Sequence, residues 1–226
     1  MAETPLHSPL APPPPPAPGQ IRQWSGLADA AAALAVGRLA LSRPSGVTLI
    51  IAANGAAAQR WQRELGFFTP TLQVLPFPDR ETLPYDAFSP HEDIVSERIA
   101  TLNVLRNRSP GSPSIALVVP VQTLCERICP VTYLDAHALQ LETGQRFDLH
   151  AFRRRLEGAG YQANDTVAHR GEFAVRGSLL DIFPMGAAAP IRVDLFDDEI
   201  ESLRTFDPDT QRTLERISDV RLLPAR

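Results

Sequence analysis

Four carboxylates lie close together in the stretch FDDEIES, at Asp197, Asp198, Glu199 and Glu201. Two carboxylates can serve as general acid and general base where contrasting environments inside a cleft separate their pKa values. A run of four acidic residues near a strand turn is more typical of a solvated hairpin. We therefore expect no catalytic residue in this stretch.

The possible metal ligands do not form a recognisable site. Cys125 and Cys129 are the two cysteines of the chain, and two thiols without a second pair cannot complete a structural zinc site. The five histidines have no metal-ligand spacing, and no Gly-x-Ser-x-Gly or Ser/His/Asp pattern stands out. The residues thus indicate no metal, no cofactor and no enzymatic activity.

The turn AANGAAAQ lies where an α/β nucleotide-binding domain would hold its phosphate loop. Such a loop needs glycines, so that backbone N–H groups can approach phosphate, and a lysine for the terminal phosphates. This turn has one glycine and no lysine, and all 22 basic residues of the chain are arginine. The competing hypothesis is a nucleotide-dependent DNA-handling domain. Such a domain would lack the phosphate-loop lysine here, and an ATPase assay would decide between the two hypotheses.

Charge and hydropathy bear on two further classes of function. The net charge is −4 and neither half of the chain is basic, whereas a standalone DNA-binding domain needs a basic face. The N-terminus does not resemble a secretory signal, and no stretch reaches the roughly 18 apolar residues of a membrane span. We therefore expect a cytoplasmic protein that does not bind membranes.

Two neighbouring strand candidates each present an arginine, Arg176 in AVRGSLLDIFPMG and Arg192 in IRVDLF. Strict alternation in the second segment separates an aliphatic, core-facing set from a polar set that contains Phe196. Arginine and phenylalanine are enriched at the centres of protein interfaces, so the three side chains could form one exposed patch. The pattern equally allows a helix over 148–160 to cover Phe196, and the sequence leaves both possibilities open.

The elements that would position these residues fall into two groups. After a proline-rich, disordered leader (1–20), helices and short apolar strands alternate over 21–134, which predicts an α/β domain with a parallel sheet covered on both faces. Strands and turns with one helix follow over 135–222, which predicts a smaller α+β domain with an antiparallel sheet.

Local signals set several boundaries. Strands are predicted at 46–53, in TLQVLPF and at 115–120, and a short helix over 121–129. A helix is predicted over 27–42, and a second begins after Asn54 and closes at Gly66. Ser89-Pro90-His91-Glu92 resembles a capping box with proline at the first helical position, and Asp148 could cap the helix in the second domain.

Four long motifs resemble one known family. The segments LPYDAFSPHEDIVSERIATL, VVPVQTL, RGEFAVRGSLLDIFPMG and RVDLFDDEIESLRTFDPDTQRTLE closely resemble the N-terminal part of the bacterial transcription-repair coupling factor, Mfd. The module is similar to one in UvrB. The resemblance implies a UvrB-like, degenerate RecA/helicase-like domain over 21–134 without a working phosphate loop. It also implies a UvrA-binding domain over 135–222, and a truncated return segment at 223–226.

The resemblance also implies a function. It is that of a non-catalytic adaptor fragment, which recruits UvrA to stalled RNA polymerase in transcription-coupled nucleotide excision repair. The family's UvrA contact, carried over motif by motif, corresponds to Arg176, Arg192 and Phe196. In the full-length family protein, a C-terminal domain masks this surface. RNA polymerase binding, DNA binding and ATP-dependent translocation belong to regions expected to be absent from this chain.

Overall fold

The computed structural model describes residues 8–27, 30–83 and 86–226, and the chain divides into two compact units. The first comprises Met1–Asp79 with Arg108–Glu126, and the second comprises Arg80–Asn107 with Arg127–Arg226. The first contains a parallel sheet and the second contains antiparallel pairing, so the predicted mixture of α and β structure is confirmed. The domain boundaries predicted from the sequence stay predictions.

Three segments discussed in the sequence analysis include residues outside these ranges. The leader over 8–20 contains neither helix nor strand, and its first seven residues lie outside the described part of the chain. Residues 28–29, near the start of the first predicted helix, and residues 84–85, within the LPYDAF segment, also lie outside the described part of the chain.

The first unit holds a three-stranded parallel sheet in the order β1-β3-β2. In chain order its elements are α1 (Ala31–Leu41), β1 (Val47–Ala52), α2 (Gly55–Phe68), β2 (Gln73–Pro76), β3 (Ile115–Pro120) and a 3-10 helix (Val121–Cys125). All three strands lie where the apolar runs predict them. The helix predicted over 121–129 is shorter than expected, because it is a single 3-10 segment that ends at Cys125.

Helix α2 begins at its predicted cap and ends later than predicted. The Oδ1 atom of Asn54 accepts a hydrogen bond from the backbone N–H of Ala57 at 2.9 Å. Gly66 does not close the helix, because its backbone does not adopt the left-handed conformation that a glycine cap uses. The helix continues to Phe68, and both the backbone N–H and the hydroxyl of Thr69 donate to the Leu65 carbonyl at 2.8 Å.

Helices α1 and α2 supply the core of the first unit together with alternate residues of the sheet. Ile50 and Ala52 of β1 belong to this core, which also contains Leu65 of α2. The alternate residues of β1, Val47, Leu49 and Ile51, are exposed. The prediction that the parallel sheet is covered on both faces is therefore wrong at β1.

The second unit holds a six-stranded sheet in the order β10-β9-β8-β7-β6-β5, and a two-stranded sheet of β11 and β4. Its elements are α3 (Glu92–Arg106), α4 (Val131–His137), β4 (Leu139–Glu142), α5 (Leu149–Gly158), β5 (Gln162–Ala163), β6 (Glu172–Arg176), β7 (Leu179–Ile182), β8 (Ile191–Phe196), β9 (Glu199–Phe206), β10 (Thr213–Ile217) and β11 (Asp219–Leu222). Neighbouring strands of the larger sheet are antiparallel, except that β5 is parallel to β6.

Helix α3 begins later than the capping-box pattern predicts. Its first residue is Glu92, and the Nδ1 atom of His91 accepts a hydrogen bond from the backbone N–H of Asp93 at 3.2 Å. His91 has an extended ψ of 140°, so Pro90 precedes the cap instead of standing at the first helical position. The helix ends at Arg106.

Helix α5 covers one face of the six-stranded sheet. Asp148 caps it as predicted, since its Oδ1 accepts a hydrogen bond from the backbone N–H of Ala151 at 2.9 Å, and this bond lowers the pKa of Asp148. Phe152 and Leu156 of α5 are buried in one core with Val193 and Leu195 of β8. The other face of the sheet carries the polar side chains of β7 and β8 next to a smaller buried apolar cluster that includes Ala174 and Phe206.

Tyr161 joins two backbone segments inside the second unit. Its buried hydroxyl donates to the carbonyl of Leu223 at 2.7 Å and accepts from the backbone N–H of Met185 at 3.4 Å. We predict that Tyr161→Phe lowers the free energy of unfolding by about 1–3 kcal/mol, because both backbone groups lose their partner in a buried place. Urea denaturation measures this loss. An equal loss in the half-exposed control Tyr133→Phe would contradict the assignment.

Tyr161 also predicts a pH dependence of stability at alkaline pH. Burial raises the pKa of Tyr161 well above its usual value, so the native state keeps the proton that the unfolded state loses near pH 10. The unfolded state then binds fewer protons, so stability falls as the pH rises above about 10. The Tyr161→Phe variant should lose this part of the alkaline destabilisation, which parallel urea titrations at several pH values can test.

Candidate functional site

The residues predicted for partner binding lie on the face of the six-stranded sheet opposite α5. The alternation predicted for β8 is confirmed, because its aliphatic side chains are buried whereas Phe196 is exposed. In the β7–β8 pair, Asp181 stands opposite Arg192. In the β6–β7 pair, Arg176 stands opposite Leu179 at the turn. The face therefore brings Arg176, Arg192 and Phe196 together on two strands separated by β7; we call it the arginine face.

Phe196 is the last residue of β8 and is 73% exposed. The alternative in which the 148–160 helix covers this ring is wrong, because α5 packs on the other side of the sheet. Phe196 pairs with Glu199 across a two-residue turn, in which Asp197 has a φ of 54°. The acidic stretch is thus the exposed tip of the β8–β9 hairpin, as the sequence predicts.

Asp181 lies at the centre of the arginine face and is 1% exposed. Its carboxylate accepts two hydrogen bonds from Arg192, Nε to Oδ1 at 2.7 Å and Nη2 to Oδ2 at 2.9 Å. The Nη2 atom of Arg176 also donates to Oδ2. Our sequence analysis missed Asp181, although a signal was present: one acidic residue interrupts the apolar run LLDIF, on a strand that neighbours two arginine-bearing strands.

The two arginines differ in how much of each guanidinium remains accessible. The Arg192 side chain is 16% exposed, and its guanidinium carbon lies 4.7 Å from the centroid of the buried Phe206 ring. Hydrogen bonds to Asp181 raise the pKa of Arg192. The Arg176 side chain is 47% exposed and uses one terminal nitrogen on Asp181. Arg176 therefore has more of its five N–H donors free for a partner than Arg192 has.

A second ion pair extends the arginine face towards β9. The Oδ2 atom of Asp194 accepts hydrogen bonds from the hydroxyl of Ser202 at 2.5 Å and from Nη2 of Arg204. Together with the first cluster, these bonds pair three guanidinium groups with two buried or half-buried carboxylates, and Glu172, Glu199 and Glu201 add further carboxylates to the same strands. Among the three arginines of these two ion-pair clusters, Arg176 has the most exposed side chain and is therefore best placed to pair with an acidic group of a partner.

The arrangement has the chemistry of a binding surface. It combines hydrogen-bond donors, positive charge and an exposed aromatic ring, which suit a macromolecular partner with acidic and apolar groups. The described ranges 8–27, 30–83 and 86–226 contain no cluster of metal-ligating side chains and no helix long and apolar enough to cross a membrane. In the turn where a phosphate loop would lie, the Asn54 side chain already occupies one backbone N–H at the start of α2.

Comparison with known proteins adds the family. The UvrB interaction domain model matches residues 139–226, which contain the whole arginine face. The chain is 46% identical to the transcription-repair-coupling factor of Escherichia coli strain K12 over 207 residues, which cover 92% of this chain and 18% of the relative. It is 47% identical to the Haemophilus influenzae protein of the same name over 179 residues, covering 79% of this chain and 15% of the relative.

A more distant relative agrees with these two. The transcription-repair-coupling factor of Myxococcus xanthus is 37% identical over 216 residues, which cover 92% of this chain and 18% of the relative. The chain thus spans less than a fifth of the length of these curated relatives. Over most of its length the chain matches transcription-repair-coupling factors, and its residues 139–226 match the UvrB interaction domain.

Proposed function

We propose that this chain acts as an adaptor in transcription-coupled nucleotide excision repair, and that its second unit recruits UvrA through the arginine face. The observation that carries the proposal is the exposed Phe196 ring at the same end of the sheet as the half-exposed Arg176, on a face that lies within the UvrB interaction domain. The name of that domain describes an interaction module, and the relatives are named as factors that couple transcription and repair.

The three residues contribute to this interface in different ways. Phe196 is the apolar anchor, because burial of its ring by a partner removes a large exposed apolar area from water. Arg176 pairs with an acidic group of UvrA through its free donors. Arg192 is largely buried against Asp181 and Phe206, so it supports the face and adds charge with little direct contact area.

Titration of purified UvrA with this chain by isothermal calorimetry tests the proposal. The expected result is saturable binding that weakens as the salt concentration rises, because charge pairing contributes to the complex. Absence of binding at low salt, with the chain shown to be folded by circular dichroism, would contradict the proposed function. An ATPase assay on the same preparation tests the alternative of a nucleotide-dependent DNA-handling domain, for which we expect no turnover.

Replacing Arg176 is expected to weaken this complex in a salt-dependent way. We predict that Arg176→Gln lowers the affinity for UvrA about tenfold at low salt and flattens the dependence of the affinity on salt, because one charge pair is removed. The matched control is Arg153→Gln, a half-exposed arginine of α5 that pairs with Glu157 at 3.0 Å on the other side of the sheet. Equal salt dependences for the two variants would contradict a role for Arg176.

The remaining parts of the proposal concern the first unit and the longer protein. We infer that the first unit is a UvrB-like, degenerate RecA-type scaffold without a bound cofactor, since its strand–turn–helix has no phosphate-loop lysine. For the whole protein, we propose cytoplasmic location, contacts with RNA polymerase and DNA, ATP-dependent translocation, and a C-terminal domain that masks the arginine face. The polymerase and DNA contacts, the translocation activity and the masking domain would reside in regions outside this chain.

A further inference from the structure

We propose that Asp181 is a positioning residue of the arginine face: it fixes the guanidinium groups of Arg176 and Arg192, and so determines where the face accepts an acidic group of UvrA. The inference rests on the proposed UvrA-binding function and adds to it a residue that acts through others. Asp181 is 1% exposed, so it influences a partner only through the arginines that it holds.

Burial makes the two arginines and the carboxylate interdependent. A buried carboxylate is costly unless it is paired and hydrogen-bonded, and Asp181 meets this need with two donors from Arg192 and one from Arg176. The same three bonds hold two like charges, from the strands on either side of β7, close to each other. Without the carboxylate, the two guanidinium groups would repel, and the more exposed one would become free to move.

Arg176 is the side chain whose position depends most on this contact. It is the last residue of β6, at a turn formed by Gly177 and Ser178, and its side chain is 47% exposed. A long side chain at such a place loses considerable conformational entropy when a partner fixes it. Because Asp181 fixes one edge of the guanidinium in the free protein, part of that cost is met before the partner arrives.

The contact also defines the chemistry of the complementary group. Asp181 accepts one bond from Nη2 of Arg176, and the donors that remain on this guanidinium suit a carboxylate. Phe196 lies at the same end of the sheet, since the backbone N–H of the preceding residue, Leu195, donates to the Ser178 carbonyl at 3.0 Å. The partner surface that fits is one acidic side chain next to an apolar depression.

The test compares two isosteric charge removals on the same face, Asp181→Asn and Asp194→Asn. Asp194 binds Arg204 and Ser202 instead of the two arginines. If charge alone mattered, removing either carboxylate would make the face more positive and tighten binding to an acidic group. Positioning predicts the opposite sign for Asp181→Asn: affinity for UvrA falls about fivefold or more, whereas Asp194→Asn binds as tightly as the parent or more tightly.

A second variant guards against a folding defect in Asp181→Asn. The double variant Asp181→Leu with Arg192→Leu replaces the buried pair by apolar side chains, a change that proteins commonly tolerate, and it keeps Arg176 and Phe196. It should bind UvrA no better than Asp181→Asn does. Parent-like affinity in a folded Asp181→Asn, or in the double variant, would overturn the proposal.

A spectroscopic readout separates failure of this inference from failure of the proposed function. In the free parent chain, the Nε–H proton of Arg192 should give a slowly exchanging NMR signal, because it is bonded to Asp181 at 2.7 Å, and Asp181→Asn should make its exchange faster. If the parent itself does not bind UvrA, the proposed function fails, and the role of Asp181 in that binding fails with it. If the parent binds, and Asp181→Asn changes neither the NMR signal nor the affinity, only the positioning inference is overturned.

Discussion

Replacing Phe196 by alanine is expected to weaken the binding of UvrA more than tenfold while the free energy of unfolding stays close to that of the parent. The ring is 73% exposed, so the folded chain gains little from it. Truncation of an aromatic anchor at the centre of an interface typically costs about 2 kcal/mol or more in binding, which corresponds to a loss of more than tenfold.

The matched control for this change is Phe67→Ala. Phe67 lies in the first unit and is 78% exposed, so the same atoms are removed from an equally accessible place. We expect calorimetry to give the parent's affinity for this control, and urea denaturation to give similar midpoints for Phe196→Ala and the parent. Equal loss of UvrA binding in both variants, or a large loss of stability in Phe196→Ala, would contradict the anchor role.

The second large effect is expected at Arg192, on stability. We predict that Arg192→Ala lowers the free energy of unfolding by about 3 kcal/mol, because removing one partner of a buried ion pair leaves its charge poorly compensated. Asp181 is 1% exposed and would lose two of its hydrogen bonds, and the Phe206 ring would lose the guanidinium that stacks on it. Urea denaturation followed by circular dichroism measures this loss.

Arg176→Ala supplies the comparison, because it removes the other partner of the same carboxylate. Arg176 is 47% exposed and gives Asp181 a single nitrogen, so we expect this variant to lose at most about 1 kcal/mol of stability. Equal losses for the two variants would contradict the unequal roles that their burial assigns to them. Any loss of UvrA binding in Arg192→Ala should therefore be interpreted together with its stability.

Local sequence patterns predict much of the secondary structure, because the signals involved extend over few residues. The alternation in β8 identifies the faces on which Val193 and Phe196 lie, and the side chains of Asn54 and Asp148 cap the helices that follow them. Where a local signal competes with a neighbouring one, prediction fails. Gly66 resembles a helix terminator, but its backbone stays helical and the chain ends α2 at Thr69 instead.

The candidate site is predicted less completely, because strand register is a non-local property. Sequence patterns favour Arg176 and Arg192 as equivalent members of one patch, since each is an arginine on a strand candidate. Their difference arises from Asp181, which the β7–β8 register sets opposite Arg192. The exposure of Phe196 likewise depends on which face of the sheet α5 covers. This packing depends on all the residues of the core between α5 and the six-stranded sheet.

The central claim is that the arginine face contacts UvrA, and photo-cross-linking tests it most directly. The photoreactive residue p-benzoylphenylalanine would replace Phe196 in one protein and Arg153, on α5 at the other side of the sheet, in a second. We predict that irradiation with UvrA gives a cross-linked product from position 196 and little or none from position 153. Efficient cross-linking from position 153 without a product from position 196 would contradict the account.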